Sequence, residues 1–429
     1  MADTAGGDGS VLDPDSVPEA LAGAGLSFFF DPAMRLDPYP AFKFLQENVP
    51  VFQTPLPGLW IVSRYNECNA ILRDQRWSSD DRRSNAFAGA VSTGGMPALP
   101  EELEGMQPFL FMDPPDHTRL RGLVAKAFTP RVVESLRPRI QQVVDELLAP
   151  ALAAGGMDVI ADLAYPLPVT IISEMLGVPV EDKERFTAWS RELAASLDPS
   201  FGPLDPVLFD RRISTQLEFV EYFRGLIAHR RAHPQDDLLS ALVAVEEAGD
   251  TLSEKELLST CILLLVAGHE TTVNLIGNGA LCFARHPDQL AKLRSDAGLA
   301  RSAVEEVLRF DPPVQLTGRA ATEDLPVGDH IVPKGDMAIT LIGAANRDPA
   351  QFEDPDRFDV TRNDARHLAF GFGAHFCLGA PLARAEGQAA LGELALRTPG
   401  LRVLADPPEY KENLVLRGLA SLPVEFSAS

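Results

Sequence analysis

The chain of 429 residues carries 61 acidic and 38 basic side chains, a net charge of −23, with 45% apolar and 23% charged residues. That composition excludes a disordered, collagen-like or coiled-coil chain, and the acidic balance argues against binding nucleic-acid phosphates or anionic lipid. The length lies above the usual ceiling for one simple hydrophobic core, which leaves two domains or one large fold.

Residues 1–25 are acidic, small and polar. They read as a flexible tail and lack the basic and apolar regions of a secretory signal. Two strand-like runs follow, Pro50–Thr54 and Leu59–Ser63, split by the Pro57-Gly58 turn. The Ser, Gly, Ala and Asp-rich stretch Ser78–Glu104 reads as a long surface loop. Helical apolar spacing then covers Asp116–Phe128, Arg131–Ala154 and Ile160–Leu176, the last broken by Pro166 and Pro168. Further helices fit Glu181–Leu197, Arg211–Arg231 and Asp236–Ala248.

The most distinctive helix is expected from Ser253 to Arg285, opened by the capping box Ser253-x-x-Glu256 and stopped by His286-Pro287. It would be about 50 Å long at 1.5 Å per residue. Cys261–Ala267 is apolar nearly all round, which places this helix in the core. The apolar run ends at His269-Glu270, short of the ~20 residues of a membrane span. No membrane is expected, and the protein is read as soluble and cytoplasmic. A helix at Leu299–Phe310, short strands in Val314–Pro333 and Met337–Ile342, an irregular stretch Asn346–Gly379, a helix Leu378–Thr398 and terminal strands complete the chain.

The four cysteines, Cys68, Cys261, Cys282 and Cys377, are far apart and lack the spacing of zinc or redox sites. A cysteine that does chemistry here does so alone. Cys377 stands in Phe370-Gly371-Phe372-Gly373-Ala374-His375-Phe376-Cys377-Leu378-Gly379, a glycine-rich loop just before a helix. A helix N-terminus stabilises a thiolate. One protein ligand suffices for a metal that brings four of its own, as haem does. A buried structural cysteine in a turn is the plainer alternative.

The string resembles the ligand loop of the cytochromes P-450, Phe-Gly-x-Gly-x-His-x-Cys-x-Gly, at every fixed position. The resemblance implies that Cys377 is the proximal iron ligand of haem b (iron protoporphyrin IX). It implies that Phe370 packs by the sulfur and that Gly371, His375 and Gly379 complete the cofactor loop, with His375 reaching a propionate.

Three further motifs follow in the family's order. Ala267-Gly268-His269-Glu270-Thr271-Thr272 lies mid-helix, where a buried acid and alcohol are costly unless used. It is similar to the family's oxygen-binding motif, which makes Glu270 and Thr271 the proton-delivery pair and puts Ala267, Gly268 and Thr272 beside the cofactor. His269 falls at the variable position and is expected outside the reaction path. Glu306-x-x-Arg309 resembles the family's Glu-x-x-Arg pair, joined by an arginine of the Phe352–Phe358 segment, here Arg357, to brace the ligand loop. His117 and Arg121, at i,i+4, resemble the propionate-binding pair, with Arg319 completing the set.

The resemblance implies a mainly α, triangular-prism fold with a minor β region. Haem lies between the long central helix and the helix after the Cys loop, and residues 26–429 form a single catalytic domain. It implies an O2-dependent monooxygenase that hydroxylates or epoxidises a lipophilic small molecule (terpenoid, steroid, fatty acid or macrolide-like). Electrons come from a ferredoxin and ferredoxin reductase to a monomer. The pocket is expected among Ser78–Phe111, Leu264–Ala267 and Val314–Thr317. The partner is expected on a basic patch of Arg119, Lys126, Arg131, Arg362 and Arg366. A peroxygenase and a haem-based sensor are the rival readings.

Overall fold

The computed structural model describes residues 36–85, 87–88, 99–195, 206–247, 252–363 and 366–427. The expected N-terminal tail, and residues 86 and 89–98 of the expected Ser78–Glu104 loop, lie outside them. Helix α1 (Tyr39–Asn48) leads into β1 (Val51–Gln53) and β2 (Leu59–Val62), then α2 (Tyr65–Arg73) and β3 (Trp77–Ser78). Helices α3 (Asp116–Ala127) and α4 (Pro130–Ala154) follow, then β4 (Gly156–Asp158). Next come α5 (Pro166–Met175), α6 (Lys183–Ala195), α7 (Pro206–Ala232), α8 (Leu238–Glu247), α9 (Glu254–Arg285), α10 (Pro287–Ser295) and α11 (Ala300–Phe310). Strands β5 (Leu316–Ala321), β6 (Leu325–Val327), β7 (His330–Val332) and β8 (Met337–Leu341) precede α12 (Ile342–Ala345). Helix α13 (Ala380–Arg397), β9 (Arg402–Val403) and β10 (Pro423–Glu425) close the chain.

The local chemistry explains the boundaries. Thr129 caps α4 by accepting the Val132 N–H, Pro130 sits in its first turn, and Gly155 ends it at φ 75°. The expected Ile160–Leu176 helix is broken once, not twice. Ile160–Ala164 forms one wide turn, with the Tyr165 N–H reaching the Ile160 carbonyl at 2.9 Å, and α5 restarts at Pro166. Pro168 also falls in the first turn, where no intrahelical N–H is needed, so it breaks nothing.

A five-stranded sheet runs β1-β2-β8-β5-β3, with β2 and β8 parallel and the other pairs antiparallel. Small sheets β4-β10-β9 and β6-β7 lie apart from it. Helix α9 packs against α5, α6, α11 and α13. It is long and apolar enough to cross a membrane, and 72% of its most apolar stretch is buried inside the protein. Two glycines let its neighbours approach: a Cβ on Gly277 or Gly279 would lie 2.6 Å from Ile160 Cδ1 or Leu391 Cδ1.

The irregular stretch after α12 is held by α11. Arg309, 1% exposed, pairs with Glu306 through Nε (2.8 Å) and Nη2 (2.9 Å). It also donates to the carbonyls of Asn346 (3.1 Å), Pro355 (2.8 Å) and Arg357 (3.1 Å). The third member of this brace is Arg362, not Arg357. Arg362 Nε lies 3.2 Å from Glu306 Oε2 and Nη1 donates to the Glu353 carbonyl at 2.8 Å. The Arg357 side chain is 62% exposed and turns to Asp359, leaving only its carbonyl in the brace. Asp354, in the same segment, takes a left-handed backbone conformation (φ 44°).

Arg362→Ala should therefore lower stability by about 1–2 kcal/mol, since it removes one of the two cations on a buried carboxylate and a hydrogen-bonded tie across the loop. Arg357→Ala should leave the urea midpoint of the same protein unchanged. A larger loss from Arg357→Ala would reverse the assignment.

Glu386 on α13 is 1% exposed, and neither carboxyl oxygen has a hydrogen-bond partner among the described residues. Burial pushes its carboxyl up from 4.5 to about 8. The unfolded chain ionises first, so stability falls as pH rises from about 4.5 through about 8. Glu386→Gln should flatten that slope and gain up to about 3 kcal/mol at pH 7, shrinking to nothing near pH 4.5. Urea titrations at both pH values read this directly.

Candidate active site

The Cys377 loop is shaped by its glycines. Gly371 and Gly373 take φ of 67° and 68°. A Cβ on Gly373 would lie 2.6 Å from the Leu72 carbonyl, so only glycine lets the loop pass α2. The Cys377 N–H donates to the Phe370 carbonyl at 2.9 Å. Burial pushes the thiol up, opposed by the N–H groups of Gly379 and Ala380 and by the charges of Arg121 and Arg384. Those N–H groups open α13, so the helix end faces the sulfur.

Behind the loop, Arg384 stacks on the Phe370 ring (4.5 Å) and pairs with Glu305 at 2.6 and 2.8 Å. His367 lies 3.2 Å from the same carboxylate. Burial alone would raise Glu305, but hydrogen bonds from Arg384 and His367 hold it down to about 2. In front of the loop, Arg73 lies 3.9 Å over the Phe372 ring.

The structure brings His117, Arg121, Arg319 and His375 into one cluster beside the loop. The two imidazoles lie against each other, tilted by 32°, with centroids 4.0 Å apart. Arg121 donates to the Phe376 carbonyl, and Arg319 to Thr317 Oγ1 (3.1 Å) and the Gly318 carbonyl (2.7 Å). His117 is 1% exposed, and neither ring nitrogen has a hydrogen-bond partner among the described residues. Burial and the charges of Arg319, His117 and Arg121 push His375 down to about 3. Burial likewise lowers Arg319 to about 10, opposed by Asp113. Asp113 itself is occupied by Ser78, by the Ser79 N–H (2.9 Å) and by Arg83 (3.3 Å). The cluster thus joins the unused donor of a buried histidine to three half-buried cationic or donor side chains, the complement of an anion with carboxylate groups.

On α9, the residues accessible within an otherwise buried stretch are Leu264, Ala267, Gly268 and Thr271. Their i, i+3, i+4, i+7 spacing makes one stripe. Thr271 Oγ1 donates to the Ala267 carbonyl at 2.8 Å, and Thr272 Oγ1 to that of Gly268 at 3.3 Å. Thr272 is buried, off the stripe. Glu270 is buried too, and its carboxylate accepts from Lys411. His269 is fully buried, bonds Ser190 of α6 at 2.6 Å and packs edge-on to Tyr165.

Two arginines of the expected basic patch are committed elsewhere. Arg119 pairs with Glu256 of the α9 capping box, and Arg362 belongs to the Glu306 brace. Lys126, Arg131 and Arg366 are exposed, as is Arg73. Lys411, Arg362, Ser190 and the Arg384–Glu305–His367 group carry no sequence signal. Each meets its partner only through the tertiary fold.

A family model described as cytochrome P450 matches residues 93–398. Cytochrome P450 107B1 of Saccharopolyspora erythraea is 42% identical over 422 residues, spanning 96% of this chain and 99% of that protein. The vitamin D(3) 25-hydroxylase of Pseudonocardia autotrophica is 41% identical over 394 residues, spanning 90% and 93%. The ligand-free crystal structure of Mycobacterium smegmatis CYP164A2 superposes with a TM-score of 0.85 at 47% identity, over 93% of this chain and 98% of that one. Identity above 40% across at least 90% of the chain, on a shared fold, means that this protein belongs to the cytochrome P450 family of monooxygenases.

Proposed function

We propose that the protein binds haem b through Cys377 and inserts one atom of O2 into a lipophilic small molecule by hydroxylation or epoxidation. The observation that carries this is the donor cluster beside the Cys377 loop. Haem is a flat ligand with two carboxylates, and this cluster offers the buried, unpartnered ring nitrogens of His117 beside the half-buried Arg121, Arg319 and His375. When bound, a thiolate-ligated haem supplies the reduction and cleavage of O2. Cys377 is its protein ligand. Phe370, Gly371 and Gly379 shape the loop around the sulfur, and Ala267, Gly268 and Thr271 of the accessible stripe face the ring, while Thr272, buried off that stripe, does not.

The chain's own residues then manage substrate and protons. Thr271 spends its hydroxyl hydrogen on the Ala267 carbonyl, so its lone pairs are left to accept a hydrogen bond on the accessible stripe. Glu270, next to it, supplies the titratable carboxyl. Leu264, Ala267 and Val314, with the Phe109–Phe111 turn, give an apolar lining that suits a terpenoid, steroid, fatty acid or macrolide-like substrate. Relatives named vitamin D(3) 25-hydroxylase and 6-deoxyerythronolide B hydroxylase, and the myristic acid complex of CYP267B1, fit that breadth. Electrons come from a ferredoxin and ferredoxin reductase, docking over Arg73, Lys126, Arg131 and Arg366 on the Cys377 side. The protein acts as a cytoplasmic monomer whose catalytic unit is residues 26–429.

The reduced carbonyl spectrum tests the ligand. Wild-type protein should show the long-wavelength Soret band of thiolate-bound haem, and Cys377→His should move it to shorter wavelength. A short-wavelength band in fresh, folded wild-type protein would refute the assignment.

Thr271→Ala should leave haem content and substrate binding intact while diverting NAD(P)H to hydrogen peroxide. Removing a positioned proton-handling group typically costs about 10²–10⁴ in the assisted step. Product formed per NAD(P)H is the measurement. An unchanged ratio would take the hydroxyl out of the pathway.

A further inference from the structure

Asp113 is set between the two parts of the chain that carry the donor cluster. It stands just ahead of α3, and its carbonyl accepts the His117 N–H at 3.0 Å, on the way into the helix that bears His117 and Arg121. Its carboxylate is taken by the end of β3. Oδ2 accepts from Ser78 Oγ, and Oδ1 from the Ser79 N–H at 2.9 Å. Both serines are buried, and Ser78 pairs with Ala320 in the β3–β5 ladder, one residue from Arg319. The carboxylate is therefore fixed between the helix that bears two members of the cluster and the strand that bears a third.

This tie holds a negative charge where the cluster has no other. Among the described residues, neither Arg121 nor Arg319 has a carboxylate within ion-pairing distance, and both donate to uncharged oxygens instead. Burial lowers Arg319 and the His117 ring, and Asp113 opposes it in both. The Asp113 side chain is 17% exposed, so salt screens its field less than that of a surface acid. The cation beside it, Arg83 Nε at 3.3 Å, is 56% exposed, and such a pair neutralises little. The tie alone needs no charge, because an asparagine oxygen would accept from the same serine donors.

We propose that Asp113 is a positioning residue whose fixed negative charge sets the reduction potential of the bound haem by offsetting Arg121 and Arg319. This rests on the reading of His117, Arg121, Arg319 and His375 as the site of the haem carboxylates. One electron from the ferredoxin takes ferric iron to ferrous and lowers the charge at the site by one unit. A fixed carboxylate nearby opposes that change, and the two arginines favour it. Asp113 thus holds the resting enzyme towards the ferric side.

The test measures the midpoint potential of the haem-loaded full chain by spectroelectrochemistry, and the rate of haem loss to an excess of a haem-scavenging globin. Asp113→Asn should favour the ferrous form roughly 2- to 10-fold, about 20–60 mV upward at 59 mV per tenfold for one electron. Haem loss should be no faster, because the tie survives. Asp113→Glu should return the potential towards wild type. Ser78→Ala, which weakens the tie and keeps the charge, should leave the potential in place. Arg83→Gln unmasks the carboxylate and should lower the potential, and it decides the sign if Asp113→Asn does not accumulate. Arg319→Gln should lower the potential and speed haem loss.

An unchanged potential in Asp113→Asn and Arg83→Gln, with Arg319→Gln behaving as expected, would overturn the proposal and leave the reading of the cluster standing. Equal shifts in Ser78→Ala and Asp113→Asn would also overturn it, by assigning the effect to the tie. Wild-type haem retention and potential in Arg319→Gln would overturn the reading of the cluster, and this proposal with it.

Discussion

The site depends on α9 being buried on nearly every side. A helix in that position cannot rotate or shift without breaking its packing against α5, α6, α11 and α13. Its one accessible stripe, Leu264, Ala267, Gly268 and Thr271, is therefore fixed in direction. The same burial makes each polar group along it conspicuous. Thr271 and Thr272 return their hydroxyl hydrogens to the backbone, His269 binds Ser190, and Glu270 takes Lys411. Four polar side chains in a row inside a core helix are kept because each has a partner.

The Cys377 loop has the opposite problem. The stretch from Asn346 to Gly379 has little regular structure of its own to satisfy its carbonyls. Arg309, itself buried, answers that by spending one guanidinium on three carbonyls and one carboxylate. Arg362 ties the far end of the stretch to the same carboxylate. Next to it, Glu305 grips Arg384 and His367 on either side of Phe370. Two adjacent acids on one turn of α11 thus hold the loop before Cys377 and the helix after it.

What was legible in the sequence were contacts made within a few residues. The capping box of Ser253 and Glu256, the Gly373 turn, the Glu306–Arg309 pair and the start of α5 at Pro166 are all local. Arg357 against Arg362 was not, because both arginines stand in one irregular segment and only the tertiary course of the chain brings one of them to Glu306. Lys411 was invisible for a stronger reason. It lies 141 residues from Glu270, in a stretch without periodicity, and is aimed by the carbonyls of Gly418 and Arg417. Pattern reading finds the acid but not its counterion. Two arginines of the expected patch were misplaced in the same way: Arg119 pairs with a distant acid, Glu256, and Arg362 with Glu306.

The donor cluster beside Cys377 shows how a chain of net charge −23 can still present a site for an anion. The two arginines there carry the charge, and burial with their fields keeps both histidines below their ordinary range. Neutral imidazoles can stack at 4.0 Å without repulsion, and each still has one N–H to donate. Adding protons to both rings would place four cations together in a buried space, at a large Coulombic cost. The arrangement therefore divides the work: Arg121 and Arg319 carry the permanent charge, and the two imidazoles add N–H donors without adding to it. Acidic residues over the rest of the surface do not cancel this field, because charges beyond a Debye length of about 8–10 Å are screened and the buried ones are not.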